Sequence, residues 1–413
     1  MSILKIKHPT KKIHAAVDLP ASKSISNRLL ILQQLLHQRF SIQQLSDADD
    51  TRIMQHALSQ TQGTVDVKNA GTCMRFLTAY YACLPGSDVI LHGNERMHSR
   101  PIDTLVEALK SLGADIDYIH HEGYPPLRIK GKQLKGGVIE MGSNISSQFV
   151  SAMMLVAPWF TNGLVITLHP SQVSMPYIQM TARAMQWCGL DVHIEQDIVI
   201  KPYSGIVQPP SSLTVEADWS AAAFWYVHTA LSQSAQIQLN QLMLNSAQGD
   251  SVVANYMARF GVNSDQITSG IELQKDNAMI EKACYNMSDY PDLVPPLAVL
   301  MCALNIPCTF THVQHLEAKE TKRLTALCNE LNACGFYVRN DENELTIHPV
   351  ESINPKLHPV FKTYGDHRMA MSLSALALVF DEIRIEQPEV VEKSYPNYWQ
   401  QMQKAGFILE QIQ

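Results

Sequence analysis

The sequence predicts an α/β fold of six repeated units grouped in two three-unit domains, and three observations carry that prediction. A helix-like segment ending in glycine, followed by an extended run, recurs at SQTQGTVDV, KSLGADIDYI, QWCGLDVHI, ARFGVNSDQI, NACGFYVRN and QKAGFILEQI. Its glycines, Gly63, Gly113, Gly189, Gly261, Gly335 and Gly406, are 50, 76, 72, 74 and 71 residues apart. Glycine just past a helix end takes up the left-handed cap conformation. A second helix signal runs in register with the first, opening at SKSISNRLL, NAGTCMRFL, SSQFVSAMM, DWSAAAFWY, YPDLVPPLA and GDHRMAMSL. Its markers Lys23, Asn69, Ser146, Asp218, Asp292 and Asp366 are 46, 77, 72, 74 and 74 residues apart. Short alternating runs such as VITLH, IVIKP and ELTIH supply strands between the helices. A period of about 70 residues exceeds that of helical solenoids.

The helices of the second series are apolar nearly all round, as buried helices are. The glycine-ended helices are amphipathic. In SRPIDTLVEALKSLG, Ile102, Leu105, Val106, Leu109 and Leu112 form one stripe, with Ser99 as the expected N-cap. Each unit therefore pairs one buried helix with one surface helix. The opening MSILKIKHPTKKIHAAV alternates like a strand. The 50-residue interval leaves the first unit short by about one hairpin. GIVQPPSSLTVE, with Pro209, Pro210, Ser211 and Ser212, falls between the third and fourth units and reads as a domain boundary.

The 413 residues are 46% apolar and 17% charged, an ordinary globular balance that allows two or three domains. The first residues lack the apolar core of a secretory leader, and the longest apolar runs, AMMLVAPWF and LVPPLAVLMCAL, are short and broken by proline. A cytoplasmic protein with no membrane span is expected. The eight cysteines form no C-x-x-C pair and are expected as buried free thiols. The sixteen histidines contain no H-E-x-x-H, so no metal site is expected. A net charge of −7 argues against a nucleic-acid surface, so any anion site must be local.

One local site stands out. In ASKSISNRLL, Lys23, Ser24, Ser26 and Arg28 crowd the first turns of an apolar helix. Cations sit badly there because a helix N-terminus already carries partial positive charge, so something negative belongs between them. Arg75 and Arg368 occupy matching positions in other buried helices, and Arg96, Arg100, Lys319, Arg323 and Lys393 stand at further helix starts. Helix N-termini that converge with cations bind phosphate or carboxylate. EAKETKRL also reads as a solvated helix face with Glu-to-Arg pairs. Asp292 and Glu320 suit acid or base roles in a dry cleft; N-capping for Asp292 and ion pairing for Glu320 are the alternatives.

LPASKSISNRLL, NAGTCMRFL, RMHSRPIDTLVEALKSLGA, SSQFVSAM, MPYIQMT, YPDLVPPLAVL, AKETKRL, DHRMAM and EKSYP resemble, in order, the motif set of the 5-enolpyruvylshikimate-3-phosphate (EPSP) synthase family. The resemblance covers nearly the whole chain. It implies an α/β fold of two inside-out α/β barrels, with six βαβαββ repeats of which the first is shortened. One domain would span residues 18–216 and the other 1–17 plus 217–413, closing over shikimate-3-phosphate and phosphoenolpyruvate. By motif, Lys23, Ser24, Arg28, Ser146, Ser147, Gln148, Ser174, Asp292 and Lys319 would hold shikimate-3-phosphate. Lys23, Gly71, Arg96, Gln148, Arg323, Arg368 and Lys393 would hold phosphoenolpyruvate. The implied reaction is addition and elimination, with Asp292, Glu320 and Lys23 moving protons. It implies small-molecule substrates, no cofactor, no metal, no nucleic acid and a monomer.

The chain departs from the family pattern at four places. Ala21 replaces glycine before SKS, Lys68 replaces glycine before NAGT, Glu317 replaces a common arginine, and Lys322 stands where KE[ST]DR has aspartate. UDP-N-acetylglucosamine enolpyruvyl transferase is the rival of the same architecture, but its loop cysteine is absent from NERMHS. A non-catalytic, anion-binding relative is the rival of another class.

Overall fold

The computed structural model describes residues 2–142, 146–168, 174–206, 208–277, 282–341 and 343–412. Contacts divide the chain into two compact units, Ala21–Val215 and Met1–Pro20 with Glu216–Gln413. None of the described helices is long and apolar enough to cross a membrane.

In the unit Ala21–Val215, three helices run through the core: Lys23–Leu35, Gly71–Cys83 and Ser147–Val156. In the second every residue but Thr72 is buried, and in the third every residue but Gln148. Sequences apolar on all sides have no face to offer water, so these helices pack inside. The helices Asp49–Leu58, Asp103–Ser111 and Met175–Trp187 bury one stripe each. The stripe Ile102, Leu105, Val106, Leu109 and Leu112 is buried throughout.

Sheets surround this core. One runs Gln62–Asp66, Asp88–His92, Leu127–Lys130, Asp115–Tyr118, the first pair parallel and the rest antiparallel. A parallel pair needs a crossover connection, and the Gly71–Cys83 helix supplies it. The same order recurs in Gly137–Met141, Leu164–Leu168, Asp197–Ile200, Val192–Ile194, with the Ser147–Val156 helix as crossover. Ser41–Gln43, after the Lys23–Leu35 helix, pairs in parallel with Ser212–Thr214 in a two-stranded sheet.

In the other unit the buried helices are Trp219–Leu231, Val294–Ala303 and His367–Ser374. Its three four-stranded sheets repeat the parallel, antiparallel, antiparallel order. They are Lys12–Asp18, Ser234–Asn240, Gly270–Lys275, Val262–Ile267, then Ala283–Asn286, Cys308–Thr311, Glu344–His348, Tyr337–Asp341. The third is Val360–Phe361, Ile383–Glu386, Ile3–Lys7, Ile408–Ile412. Two strands are exchanged. Lys12–Asp18 leads into the Lys23 helix but pairs with Ser234–Asn240, and Ser212–Thr214 leads into the Trp219 helix but pairs with Ser41–Gln43. The chain thus leaves each unit from a hydrogen-bonded strand.

Gly113, Gly189, Gly335 and Gly406 each directly follow a helix C-cap and have φ of 101°, 78°, 89° and 92°. Gly261 comes one residue later than that position, after the cap Arg259. Gly63 corrects the expectation. It lies inside the strand Gln62–Asp66, and the preceding helix ends at Leu58 with Ser59 and Gln60 donating backward to His56 and Ala57. Ser99 is a second correction: the Asp103–Ser111 helix has Ile102 at its N-cap, and Ser99 donates its hydroxyl to Arg96 O at 2.9 Å. A short helix, Glu95–His98, ends there and takes that serine for itself. A third concerns Cys284, which is exposed because its strand Ala283–Asn286 alternates and turns it outward. Cys328 is half-buried, and the other six thiols are buried. The predicted strands VITLH, IVIKP and ELTIH correspond to Leu164–Leu168, Asp197–Ile200 and Glu344–His348; His169 lies outside the described residues.

Candidate active site

The candidate residues fall into two groups, one in each unit. In Ala21–Val215 side-chain bonds tie the N-terminal parts of five helices. Lys23 opens its helix behind the N-cap Ser22, whose hydroxyl oxygen accepts from Ile25 N. The Lys23 ammonium sits 3.4 Å from Asp50 Oδ2, in the first turn of the Asp49–Leu58 helix. Arg28, 2% exposed, donates to Thr181 Oγ1 at 2.7 Å, Ser24 O at 2.9 Å, Tyr177 O at 3.2 Å and Ser151 Oγ at 3.3 Å. Its guanidinium also lies over the Phe76 ring at 5.3 Å. Burial pushes this guanidinium down to about 10.

The Gly71 and Ser147 helices meet at their N-termini, where Gln148 Nε2 donates to Thr72 Oγ1 at 3.3 Å. Ser146 caps its helix by accepting from Gln148 N. Ser147 is buried, and Ser174 is buried at the N-cap position of the Met175 helix in a left-handed conformation, φ 59°. Two arginine side chains close over Gly71. A Cβ there would lie 2.7 Å from one Arg100 nitrogen and 2.8 Å from one of Arg75. Arg75 also donates to Gly71 O at 3.1 Å. Arg96 stands half-buried on the short helix that precedes Arg100. The site list read from motifs omitted Arg75 and Arg100, although both lie against Gly71.

The second group is denser. Arg323 opens the helix Arg323–Ala333, is 1% exposed, and meets three carboxylates: Asp366 Oδ2 and Glu320 Oε2 at 2.8 Å, Asp292 Oδ1 at 3.4 Å. Arg368, from the first turn of the His367 helix, donates to Asp292 Oδ2 at 2.7 Å. Lys393 reaches Glu320 Oε1 at 3.3 Å. Asp366 also caps its helix, accepting from Arg368 N at 2.9 Å. Burial alone would raise the Asp292 carboxyl, but Arg368, Lys319 and Arg323 together hold it well below the usual carboxylate range. Desolvation would lower Arg323, yet Asp366, Glu320 and Asp292 hold it above its ordinary value.

Several sequence readings resolve here. The Val294 helix has Leu293 at its N-cap position and no side-chain cap there, and the Asp292 carboxylate faces two arginines instead. Glu320 is ion-paired to Arg323 and Lys393. EAKETKRL is not a solvated helix face, because the helix starts at Arg323 and that residue is buried. Lys393 ends a 3-10 turn, Pro388–Lys393, rather than starting a helix. Asp366 was visible only as a helix marker, and Asp50 gave no signal in the sequence because a tertiary contact alone brings it to Lys23.

Two departures from the family pattern offset each other. Lys322 occupies the N-cap of the Arg323 helix and makes no side-chain cap. Glu317 supplies one instead, accepting from Thr325 N at 2.9 Å and Thr325 Oγ1 at 3.2 Å. A carboxylate at this helix end is favourable wherever it comes from. Lys68 has φ 49°, a left-handed backbone that glycine adopts without penalty. Nothing in the structure explains Ala21.

The comparisons with known proteins agree with these motifs. The family model described as EPSP synthase (3-phosphoshikimate 1-carboxyvinyltransferase) matches residues 7–66 and 59–402. The chain belongs to the EPSP synthase family. A 3-phosphoshikimate 1-carboxyvinyltransferase of Bacteroides fragilis (strain YCH46) is 42% identical over 400 residues, 96% of each chain. One of Haemophilus influenzae (strain Rd) is 33% identical over 428 residues, covering 96% of this chain and 97% of that protein. An EPSP synthase structure from Acinetobacter baumannii superposes with a TM-score of 0.80 over the full length of both chains at 20% identity, a likeness of α/β fold. By its membership the chain is an enzyme of the transferase class.

Proposed function

We propose that this member of the EPSP synthase family joins the enolpyruvyl group of phosphoenolpyruvate to the 5-hydroxyl of shikimate-3-phosphate and releases phosphate. The hydroxyl oxygen bonds to C2 while C3 gains a proton. The tetrahedral intermediate then loses a C3 proton and its phosphate, restoring the double bond. Lys23, Ser24, Arg28, Ser146, Ser147, Gln148 and Ser174 serve shikimate-3-phosphate, with Asp292 and Lys319. Lys23, Gly71, Arg96, Gln148, Arg323, Arg368 and Lys393 serve phosphoenolpyruvate.

The observation that carries this reading is the Asp292 carboxylate held between Arg323 and Arg368. Paired so strongly, it is a poor base at rest. A substrate anion that draws Arg368 toward itself weakens the pairing and raises the proton affinity of Asp292 when the 5-hydroxyl must lose its proton. Glu320, beside Arg323 and Lys393, and Lys23 then exchange the C3 and phosphate protons. Cations placed in advance stabilise the charge that develops.

The repeated sheet order and the buried crossover helices support a fold of six βαβαββ repeats, the first shortened, in two inside-out barrels. The division of contacts at residues 20/21 and 215/216 supports domains of 18–216 and 1–17 plus 217–413. The test is turnover of shikimate-3-phosphate with phosphoenolpyruvate in the absence of metal, with UDP-N-acetylglucosamine as the competing acceptor. Phosphate release with the first acceptor alone is expected. Release only with the second, or tight binding without turnover, would overturn the proposal.

A further inference from the structure

Glu330 has no part in the chemistry assigned above, yet it is 7% exposed and both its carboxylate oxygens are bonded. It follows Arg323 by seven residues on the helix Arg323–Ala333, which places it on the same face, about 10 Å further along the axis. Its Oε2 accepts from Lys362 N at 2.9 Å and its Oε1 from the Tyr364 hydroxyl at 2.7 Å. Both donors belong to the segment between the strand Val360–Phe361 and the helix His367–Ser374. That segment makes a tight turn: Asp366 N donates to Thr363 O at 2.9 Å, and the two residues between, Tyr364 and Gly365, are left-handed at φ 55° and 68°. Glycine takes up this backbone freely, whereas tyrosine does so only at a cost. Tyr364 is 39% exposed, so burial of its ring does little to hold it there. The hydroxyl bond to Glu330 ties it to the helix instead.

The turn leads directly into residues proposed above for phosphoenolpyruvate. Asp366 closes it, caps the next helix by accepting from Arg368 N at 2.9 Å, and accepts from Arg323 Nε at 2.8 Å. One helix therefore holds the turn at two points, through Arg323 on Asp366 and through Glu330 on Lys362 N and Tyr364. We infer that Glu330 is a positioning residue for the phosphoenolpyruvate side of the site: by fixing this turn it sets where Asp366 stands, and through Asp366 where Arg323 and Arg368 present their guanidinium groups. A carboxylate suits the task, since each oxygen accepts from a different donor on the turn. Strained backbone held by surrounding contacts is one way a ligand clamp fixes its geometry in advance.

The inference rests on Arg323 and Arg368 holding phosphoenolpyruvate, as proposed above. The test measures KM for each substrate at saturating concentrations of the other in wild type, Glu330→Ala, Glu330→Gln and Tyr364→Phe, with Arg368→Lys as the control. KM does not depend on the fraction of enzyme that is folded, so a loss of stability alone leaves both values unchanged. Glu330→Ala should raise KM for phosphoenolpyruvate roughly fivefold or more, inside the roughly 100-fold that a misplacement of about 1 Å can cost, while KM for shikimate-3-phosphate stays near wild type. Glu330→Gln keeps an oxygen for Lys362 N and offers an amide N–H to the Tyr364 oxygen, so it should restore most of the loss. Tyr364→Phe removes one of the two bonds and should fall between. A wild-type KM for phosphoenolpyruvate in folded Glu330→Ala, an equal rise in both KM values, or a loss in Glu330→Gln as large as in Glu330→Ala would overturn the inference. If Glu330→Ala does not fold, Tyr364→Phe carries the test, and a wild-type KM there overturns it. An unchanged KM in Arg368→Lys would instead remove Arg368 from the phosphoenolpyruvate site, and the inference with it.

Discussion

Arg28 and Arg323 are both almost wholly buried in the starts of helices, yet their surroundings act on them in opposite directions. The hydrogen bonds of Arg28 go to neutral oxygens of Ser24, Ser151, Tyr177 and Thr181, and burial pushes it down to about 10. Those of Arg323 go to Asp292, Glu320 and Asp366, which hold it above its ordinary value. Neutral acceptors orient the Arg28 cation without cancelling its charge, the condition an anionic ligand needs. The carboxylates around Arg323 are themselves candidates for proton transfer. In the proposed assignment, Arg28 is a cation left uncancelled for shikimate-3-phosphate, whereas Arg323 is a cation whose carboxylate partners Asp292 and Glu320 are proposed to move protons.

Removing each arginine should separate the two environments most clearly. Arg323→Met would leave three carboxylates without their shared cation and should cost about 3–5 kcal/mol of stability in denaturant titration at pH 7. Its deficit should be smaller in acid than at neutral pH, because protonation relieves a buried carboxylate that has lost its cation, while Asp292 keeps Arg368 and Glu320 keeps Lys393. Arg28→Met breaks hydrogen bonds to neutral groups but also relieves a buried charge. Its cost should be smaller, about 1–2 kcal/mol, and flat from pH 6 to 9. Equal deficits with equal pH dependence would erase the distinction.

Arg368→Lys replaces a planar fork with a point charge and should raise KM for phosphoenolpyruvate by roughly tenfold while shikimate-3-phosphate binding stays near wild type. Glu317→Ala should cost about 1 kcal/mol by uncapping the Arg323 helix, and adding Lys322→Asp should restore most of it. An additive loss in the double variant would show that Glu317 does not cap this helix. The smallest effect expected is from Lys68→Gly, which should stabilise the fold by about 0.5–1 kcal/mol in the same titration, because Lys68 holds a left-handed backbone.

Much of this architecture was legible in the sequence because it rests on local chemistry. A helix that is apolar all round must be buried, and glycine after a C-cap is written into the chain at Gly113, Gly189, Gly335 and Gly406. Gly63 misled because a left-handed glycine also fits a strand, and no sequence period separates the two uses. The cations of the site were readable from their awkward place at helix N-termini. Their partners were not. Asp50 and Asp366 lie 27 and 43 residues from Lys23 and Arg323, and only the packing of separate helices brings them near. Asp292 shows the same limit in reverse, since a cap and a base look alike until the arginines around it are placed.

Asp292 is the proposed base, its charge held in reserve by Arg323 and Arg368. Asp292→Asn keeps the size and hydrogen bonding of the side chain but removes the base. The direct measurement is a single-turnover rate for this variant by rapid quench, beside its shikimate-3-phosphate dissociation constant by calorimetry. The chemical step should slow by roughly 100-fold or more, with a dissociation constant within about threefold of wild type. A near-wild-type rate in that variant would contradict Asp292 as the base.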